Sequence, residues 1–259
     1  MLLGVNIDHI AVLREARRIN DPDPVDALGI VKRAGADQIT IHLREDRRHI
    51  HDEDARRIVE LSPLPVNIEC AIAPDIVKIV KELNPNRVTL VPEKREEVTT
   101  EGGLDLNTNF DKIAKTVDSF HKKGIEVSLF VDPDLKLMEK AHALKADWVE
   151  IHTGTYANIF AMLFSNLGRT HHSIADLEKS RSELLKLLEN SLDFIAKSAA
   201  HADILGLKVA AGHGLNYQNV MQITRIVSIV ELNIGQSIIA RSVFTGLEEA
   251  IVSMKRLLG

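Results

Sequence analysis

Histidine and glutamate recur in this chain where short apolar runs end: His42 in ITIHLREDRRHI, Glu69 in PVNIEC, Glu150 and His152 in WVEIHT, and His213 in AAGHGLN. Their surroundings can bring both side chains to titrate near the working pH, so a cluster of them is suited to general acid and base work. Side chains alternate along a strand. That alternation puts Asn6 with Asp8, Thr40 with His42, Asn67 with Glu69, Ser128 with Asp132, and Glu150 with His152 on shared faces. The opposite faces are mostly Val, Ile and Leu. One such residue alone could be a hydrogen-bonded filler of the interior, and His152 fits that reading best. Five together point to a reactive face.

A repeated strand–helix unit must position these residues. The runs LLGVNI, QITIHL, PVNIEC, RVTLVP, EVSLFV, WVEIHT, GLKVAA and ELNIGQSII read as strands. Between them lie amphipathic stretches such as DPVDALGIVKRAGA, DEDARRIVELS, PDIVKIVKELN and NFDKIAKTVDSFHKKG. Gly35 and Gly124 follow basic last turns, as helix C-caps do, while Pro24 and Pro74 mark helix starts. Alternating strands and helices imply a parallel sheet. Eight units at roughly thirty-residue spacing fit a closed (β/α)8 barrel of the α/β class with additional helices. A doubly wound open sheet is the alternative. The segment at about 157–180 breaks the rhythm and reads as an insertion in a single domain over 1–259. Its apolar half forms an extra helix on this reading, and His171–His172 lies in a solvated loop.

Composition narrows the functions. With 259 residues, 45% hydrophobic content and a formal net charge of −5, the chain is a soluble globule without the positive surface of a general nucleic-acid binder. The single cysteine, Cys70, excludes an internal disulfide and fits the reducing cytoplasm, and no apolar run is long enough to span a membrane. Positive charge is local. Arg14, Arg17 and Arg18 follow the first strand, and Arg44, Arg47 and Arg48 the second, as guanidinium forks suited to phosphate. The turns AAGHGLN and NIGQS follow strands seven and eight, the usual phosphate-binding loops of such a barrel. The polar stretch VPEKREEVTTEGGLDL after strand four reads as a cover, with Thr99 and Thr100 as donors to phosphate oxygens.

Three other chemistries remain open on residue type. A Schiff-base aldolase needs a desolvated lysine, and Lys208 is the in-strand candidate, near its strand's beginning. A metal-dependent hydrolase or epimerase would draw ligands from Asp8, His9, His42, Glu69 and His213. A non-catalytic binder of sugar phosphates would use the same anion sites.

The blocks GVNIDHIAVLREAR, ITIHLREDRRHI, VPEKREEVTTEGGLD, EIHTGTYA, AGHGLN and ELNIGQSIIARSVFTGL together resemble the pyridoxine 5′-phosphate synthase family over nearly the whole chain. The resemblance implies a (β/α)8 barrel assembling as a homo-octamer. It also implies condensation of 1-deoxy-D-xylulose 5-phosphate with 3-amino-2-oxopropyl phosphate, with neither metal nor organic cofactor. By motif, His42 and Glu69 become proton acceptors, His213 the proton donor and Glu150 a transition-state stabiliser. Asp8, His9, Arg44, His49 and Thr99 would hold the deoxyxylulose phosphate. Asn6, Arg17, Gly214, Gly235 and Gln236 would hold the amino-ketone phosphate. Two departures stand out: Gln236 occupies a position where the family often has histidine, and the 157–180 segment is longer than usual.

Overall fold

Eight parallel strands close on one another in sequence order. They are β1 (Leu2–Asn6), β2 (Gln38–His42), β3 (Val66–Cys70), β4 (Arg87–Leu90), β5 (Glu126–Val131), β6 (Trp148–His152), β7 (Lys208–Gly212) and β8 (Glu231–Ile234). The ring closes through β1 and β8, with Gly4 opposite Asn233 and Val5 opposite Ile234. This computed structural model describes residues 1–93 and 102–259. The closed barrel replaces the open-sheet alternative.

The helices are α1 (Asp8–Arg17), α2 (Ala27–Arg33), α3 (Asp52–Leu61), α4 (Pro74–Leu83), α5 (Phe110–His121), α6 (Leu135–Ala143), α7 (Gly154–Phe164), α8 (Arg181–Ile204), α9 (Val220–Ile223), α10 (Gln236–Thr245) and α11 (Leu247–Leu258). Local chemistry sets their ends. Gly35 and Gly124 take positive φ after α2 and α5. Pro74 opens α4, Pro24 opens a short 3-10 turn before α2, and Ser180 with Glu183 forms a capping box at α8. The run ELNIGQSII is not one strand. It splits at Gly235, whose backbone (φ −125°, ψ −76°) leaves the strand, so Gln236 starts α10. In the 157–180 stretch, α7 begins at Gly154, ahead of that stretch, and two 3-10 turns, Leu167–Arg169 and Ala175–Leu177, lead into α8.

Strand alternation divides the core. Val5, Ile39, Ile41, Ile68, Val88, Leu129, Val149 and Leu232 alternate with the polar positions and are fully buried in the apolar core. Such barrels usually fill their interior with branched aliphatics. Here the alternate positions are polar: Arg87 donates to Glu231 Oε1 at 2.7 Å, Thr89 to Asn67 at 3.0 Å, and Thr40 to Asn233 at 3.2 Å. Trp148 lies under the Arg87 guanidinium, 3.7 Å from ring centroid to Cζ, and donates to Glu126 at 3.0 Å. Burying a polar group is costly unless it is partnered, so these bonds offset much of the cost of a polar barrel interior. Lys208, the Schiff-base candidate, sits at the amino end of β7 paired with Glu126 at 3.1 Å, away from the strands' carboxyl ends.

Candidate active site

A cavity of about 320 Å³ opens at the carboxyl ends of the strands. Asn6, His9, Glu69, Glu150, His213, Gly214, Gly235 and Gln236 line it, together with Phe130 and Asn233. Eight of the fourteen residues singled out for catalysis or binding therefore share one small space, contributed by β1, β3, β6, the starts of α1 and α10 and the loops after β7 and β8.

Glu150 is held by Asn233, whose Nδ2 donates to Oε2 at 2.8 Å. Burial, reinforced by Glu231 and opposed by the Asn233 bond, pushes its carboxyl up to about 7. Burial, then the carboxylates of Glu150 and Asp8, push the Glu69 carboxyl well above the usual carboxylate range. Asp8 is not a strand residue as alternation implied, because β1 stops at Asn6 and Asp8 opens α1. Asn6 still ties it to the mouth, donating from Nδ2 to Asp8 Oδ2 at 2.9 Å while accepting the Asp8 N–H on Oδ1 at 2.9 Å. Asp8 Oδ1 in turn accepts the His42 N–H at 2.9 Å. Burial raises the Asp8 carboxyl to about 6 against the pull of His42 and Arg44.

His42 stands just outside the cavity wall between two carboxylates. Its Nδ1 lies 3.9 Å from Glu69 Oε2, and its Nε2 lies 2.8 Å from Glu93 Oε1. His213 has φ 79°, a left-handed backbone rare outside glycine and asparagine, and Gly214 follows with φ 79°. Strain of this kind persists where surrounding contacts impose it. Thr153 Oγ1 supplies one such contact, donating to the carbonyls of Gly212 and His213 at 2.7 and 2.6 Å. Burial and the neighbouring His152, whose ring centroid is 4.9 Å away, lower His213 to about 4, leaving it neutral at pH 7. His152 is oriented by Asp132, with Nδ1 3.0 Å from Oδ1.

The anion-binding parts are distributed unevenly. The first N–H groups of α10 have no intrahelical partner, and the helix dipole favours an anion there. A Cβ at Gly235 would fall 2.8 Å from Asn6 Cβ, so only glycine lets the β8–α10 turn lie against Asn6. On the opposite side, Arg44 is buried with Nε 3.3 Å from Asp46. His49 lies 6.3 Å from His42 between ring centroids, and burial, then His42, Arg44 and His9, push it down to about 3. His9 is lowered by burial, and its Nδ1 has no hydrogen-bond partner among the described residues.

Several arginines are already engaged. Arg14 is buried and pairs with both Asp54 oxygens at 2.8 and 2.7 Å while donating to the His49 carbonyl at 2.9 Å, so it braces α1 against α3. Arg47 pairs with Asp52 at 2.5 Å and Arg48 with Asp46 at 2.5 Å. Arg17 is exposed in the last turn of α1 and does not line the cavity. Thr99, Thr100 and half of the proposed cover lie outside the described residues. His171 and His172 are exposed, and among the described residues no group of three His, Cys, Asp or Glu side chains is placed to hold a metal ion.

Two residues were missed by sequence reasoning. Glu93 continues the alternation Thr89, Val91, Glu93 past the end of β4, and Asn233 shares its face with Glu231, so strand parity carried a signal for both.

Comparison with known proteins places this geometry. The model of the family described as pyridoxal phosphate biosynthesis protein PdxJ matches residues 3–259. The chain belongs to the PdxJ family. The pyridoxine 5′-phosphate synthase of Aliarcobacter butzleri is 64% identical over 258 residues, covering all of this chain and 99% of that protein. The corresponding synthase of Sulfurovum sp. is 62% identical with complete coverage of both. Among solved structures, the phosphoribosylanthranilate isomerase of Thermotoga maritima superposes with a TM-score of 0.56 at 13% identity, covering all of this chain and 98% of that one. At that identity the likeness bears on the fold alone, the same barrel on which this PdxJ-family site is built.

Proposed function

We propose that the protein is a pyridoxine 5′-phosphate synthase. It joins 1-deoxy-D-xylulose 5-phosphate to 3-amino-2-oxopropyl phosphate and yields pyridoxine 5′-phosphate, inorganic phosphate and water. The observation that carries this reading is a single cavity combining His213, Glu69 and Glu150 with the α10 N-terminus, in a chain 64% identical to a synthase of that name.

The proposed chemistry suits the residues. Condensing an amine with a ketone expels the carbonyl oxygen as water, so one group must protonate that oxygen and another must take the nitrogen's proton. Later steps remove carbon-bound protons and expel one phosphate while the other stays with the product. His42 and Glu69 serve as proton acceptors, His213 as donor and Glu150 as stabiliser of developing charge. Burial holds His213 down at about 4, so it is neutral at pH 7. On this reading, the arrival of two phosphate anions draws a proton onto His213, turning it into the donor. The amino-ketone phosphate is held by Asn6, Arg17, Gly214, Gly235 and Gln236. The deoxyxylulose phosphate is held by Asp8, His9, Arg44, His49 and Thr99, the last of which lies outside the described residues. Gln236 keeps the backbone N–H of the helix start, so loss of a histidine ring there leaves anion binding intact.

We further propose a single-domain chain forming a cytoplasmic homo-octamer. The exposed apolar side chains of Val243 and Phe244 on α10 and of Phe194 and Ile204 on α8 support association. No helix among the described residues is long and apolar enough to cross a membrane.

Purified protein given both phosphates should release inorganic phosphate and form pyridoxine 5′-phosphate without added metal. Activity abolished by a chelator would favour the metal-enzyme alternative, and binding without turnover would favour a sugar-phosphate binding protein.

A further inference from the structure

His42 has two ring nitrogens facing two different carboxylates. Glu69 Oε2 lies 3.9 Å from Nδ1 on the cavity side, and Glu93 Oε1 lies 2.8 Å from Nε2 on the far side. The Glu93 side chain is only 4% exposed, and its other oxygen, Oε2, accepts the backbone N–H of Glu45 at 2.9 Å. Both Glu93 oxygens therefore face donors. Burial alone would raise this carboxyl, but the His42 bond, the Glu45 N–H and the Arg44 charge outweigh it and hold Glu93 below the usual range. An ionised carboxylate can only accept, so Nε2 must carry the ring proton.

We infer that Glu93 is a positioning residue that fixes His42 as the Nε2–H tautomer, leaving the Nδ1 lone pair turned toward Glu69 and the cavity. In the proton transfer, Nδ1 gains a proton from substrate, and the resulting imidazolium is stabilised across its Nε2–H bond by the Glu93 anion. That anion keeps its charge throughout. The arrangement follows the logic of a carboxylate orienting the base of a catalytic triad. It deepens the proposed synthase reading, since it assigns His42 the geometry its acceptor role needs.

The Glu45 N–H makes the inference testable, because a backbone donor cannot reverse. In Glu93→Gln the amide oxygen must accept from Glu45, so the amide NH2 faces His42 Nε2 and forces the Nδ1–H tautomer, the wrong one for accepting a proton from the cavity. Magic-angle-spinning NMR of 13C,15N-histidine protein, with His42 identified by its absence in His42→Asn, reads the tautomer directly. Wild type should show Nε2–H and Glu93→Gln Nδ1–H, with kcat reduced roughly 10²-fold or more and KM changed by less than about threefold. An Nδ1–H tautomer in wild type overturns the inference even if the variant does not fold. So does Nε2–H retained in the variant, or a variant turning over within about threefold of wild type. If wild type forms no pyridoxine 5′-phosphate, the synthase reading fails, while the two tautomers still decide the role of Glu93.

Discussion

Replacing Gly212 with alanine adds one methyl group aimed at Glu150. Gly212 ends β7 opposite His152 of β6, with no positive φ, so the backbone itself accepts alanine. A Cβ there would overlap Glu150 Oε1 and lie 3.2 Å from the Asn233 carbonyl. The carbonyl belongs to β8 and cannot yield, so the Glu150 carboxylate must retreat by about 1 Å to reach van der Waals separation. That breaks its 2.8 Å bond from Asn233, although Asn233 Nδ2 keeps Glu231 Oε1 at 3.4 Å. The lost bond costs about 1 kcal/mol. Alanine in a strand regains roughly 0.5–1 kcal/mol over glycine. These nearly cancel, so Tm should move by no more than about 4 °C in a protein of this size. Displacing a group that acts on the transition state by 1 Å costs on the order of 10²-fold in rate, about 2.7 kcal/mol of barrier. The check is kcat and KM for product formation alongside a thermal melt. An unchanged kcat would refute the role of Glu150, and a collapse of Tm would show that the methyl acts on the barrel instead.

Glu69→Gln should lower turnover roughly 10²-fold while holding or raising Tm at pH 7. A carboxyl whose folded pKa lies above its unfolded value contributes stability only when protonated, and loses it as pH rises, a penalty that glutamine lacks. A Tm falling at pH 7 would show that Glu69 is ionised in the folded protein. His213→Asn should also lose activity yet fold, since asparagine tolerates the φ of 79°. With folded His213 at about 4 against 6.5, wild type loses stability as pH falls from 6.5 toward 4. Denaturant unfolding at pH 7 and pH 5 should therefore favour the variant by about 2 kcal/mol at the lower pH, and parallel curves would contradict a buried, neutral His213.

The barrel was legible because each strand is short, β-branched and alternately polar, and because glycines and prolines punctuate the helices where backbone geometry demands them. His42, Glu69 and Glu150 could be found from parity alone, since a side chain two residues from another on a strand shares its face. Where parity misled, the strand had already ended. Asp8 lies past β1 in a helix, and Ile238 and Ile239 look like strand residues but belong to α10 because Gly235 turns the chain. Charge type misled in another way. Arg14, Arg47 and Arg48 looked like phosphate ligands, but Asp54, Asp52 and Asp46 engage them; the Arg14 pair joins segments forty residues apart that no local pattern links, whereas Arg47 and Arg48 find acids five and two residues away in their own loop. Glu93 was hidden inside a stretch read as a cover, although its side chain is among the most firmly held at the mouth.

The electrostatics of the mouth follow from the cost of burying charge. Asp8, Glu69 and Glu150 are all buried near one another, and three carboxylates so placed cannot all remain ionised without a compensating cation. Asp8 has Arg44 and His42 to lower it, whereas the influences on Glu69 are burial and two carboxylates, all raising it. Glu69, the carboxylate nearest His42 Nδ1, is therefore the one pushed well above the usual range. Glu93 escapes this competition by donors rather than distance: two hydrogen bonds and the Arg44 charge keep it ionised despite burial. One imidazole is thus flanked by a carboxyl raised well above the usual range on the cavity side and one held below it behind. That asymmetry gives proton movement at His42 a direction, because the proton on Nε2 is held by the anion while Nδ1 alone can exchange with the cavity.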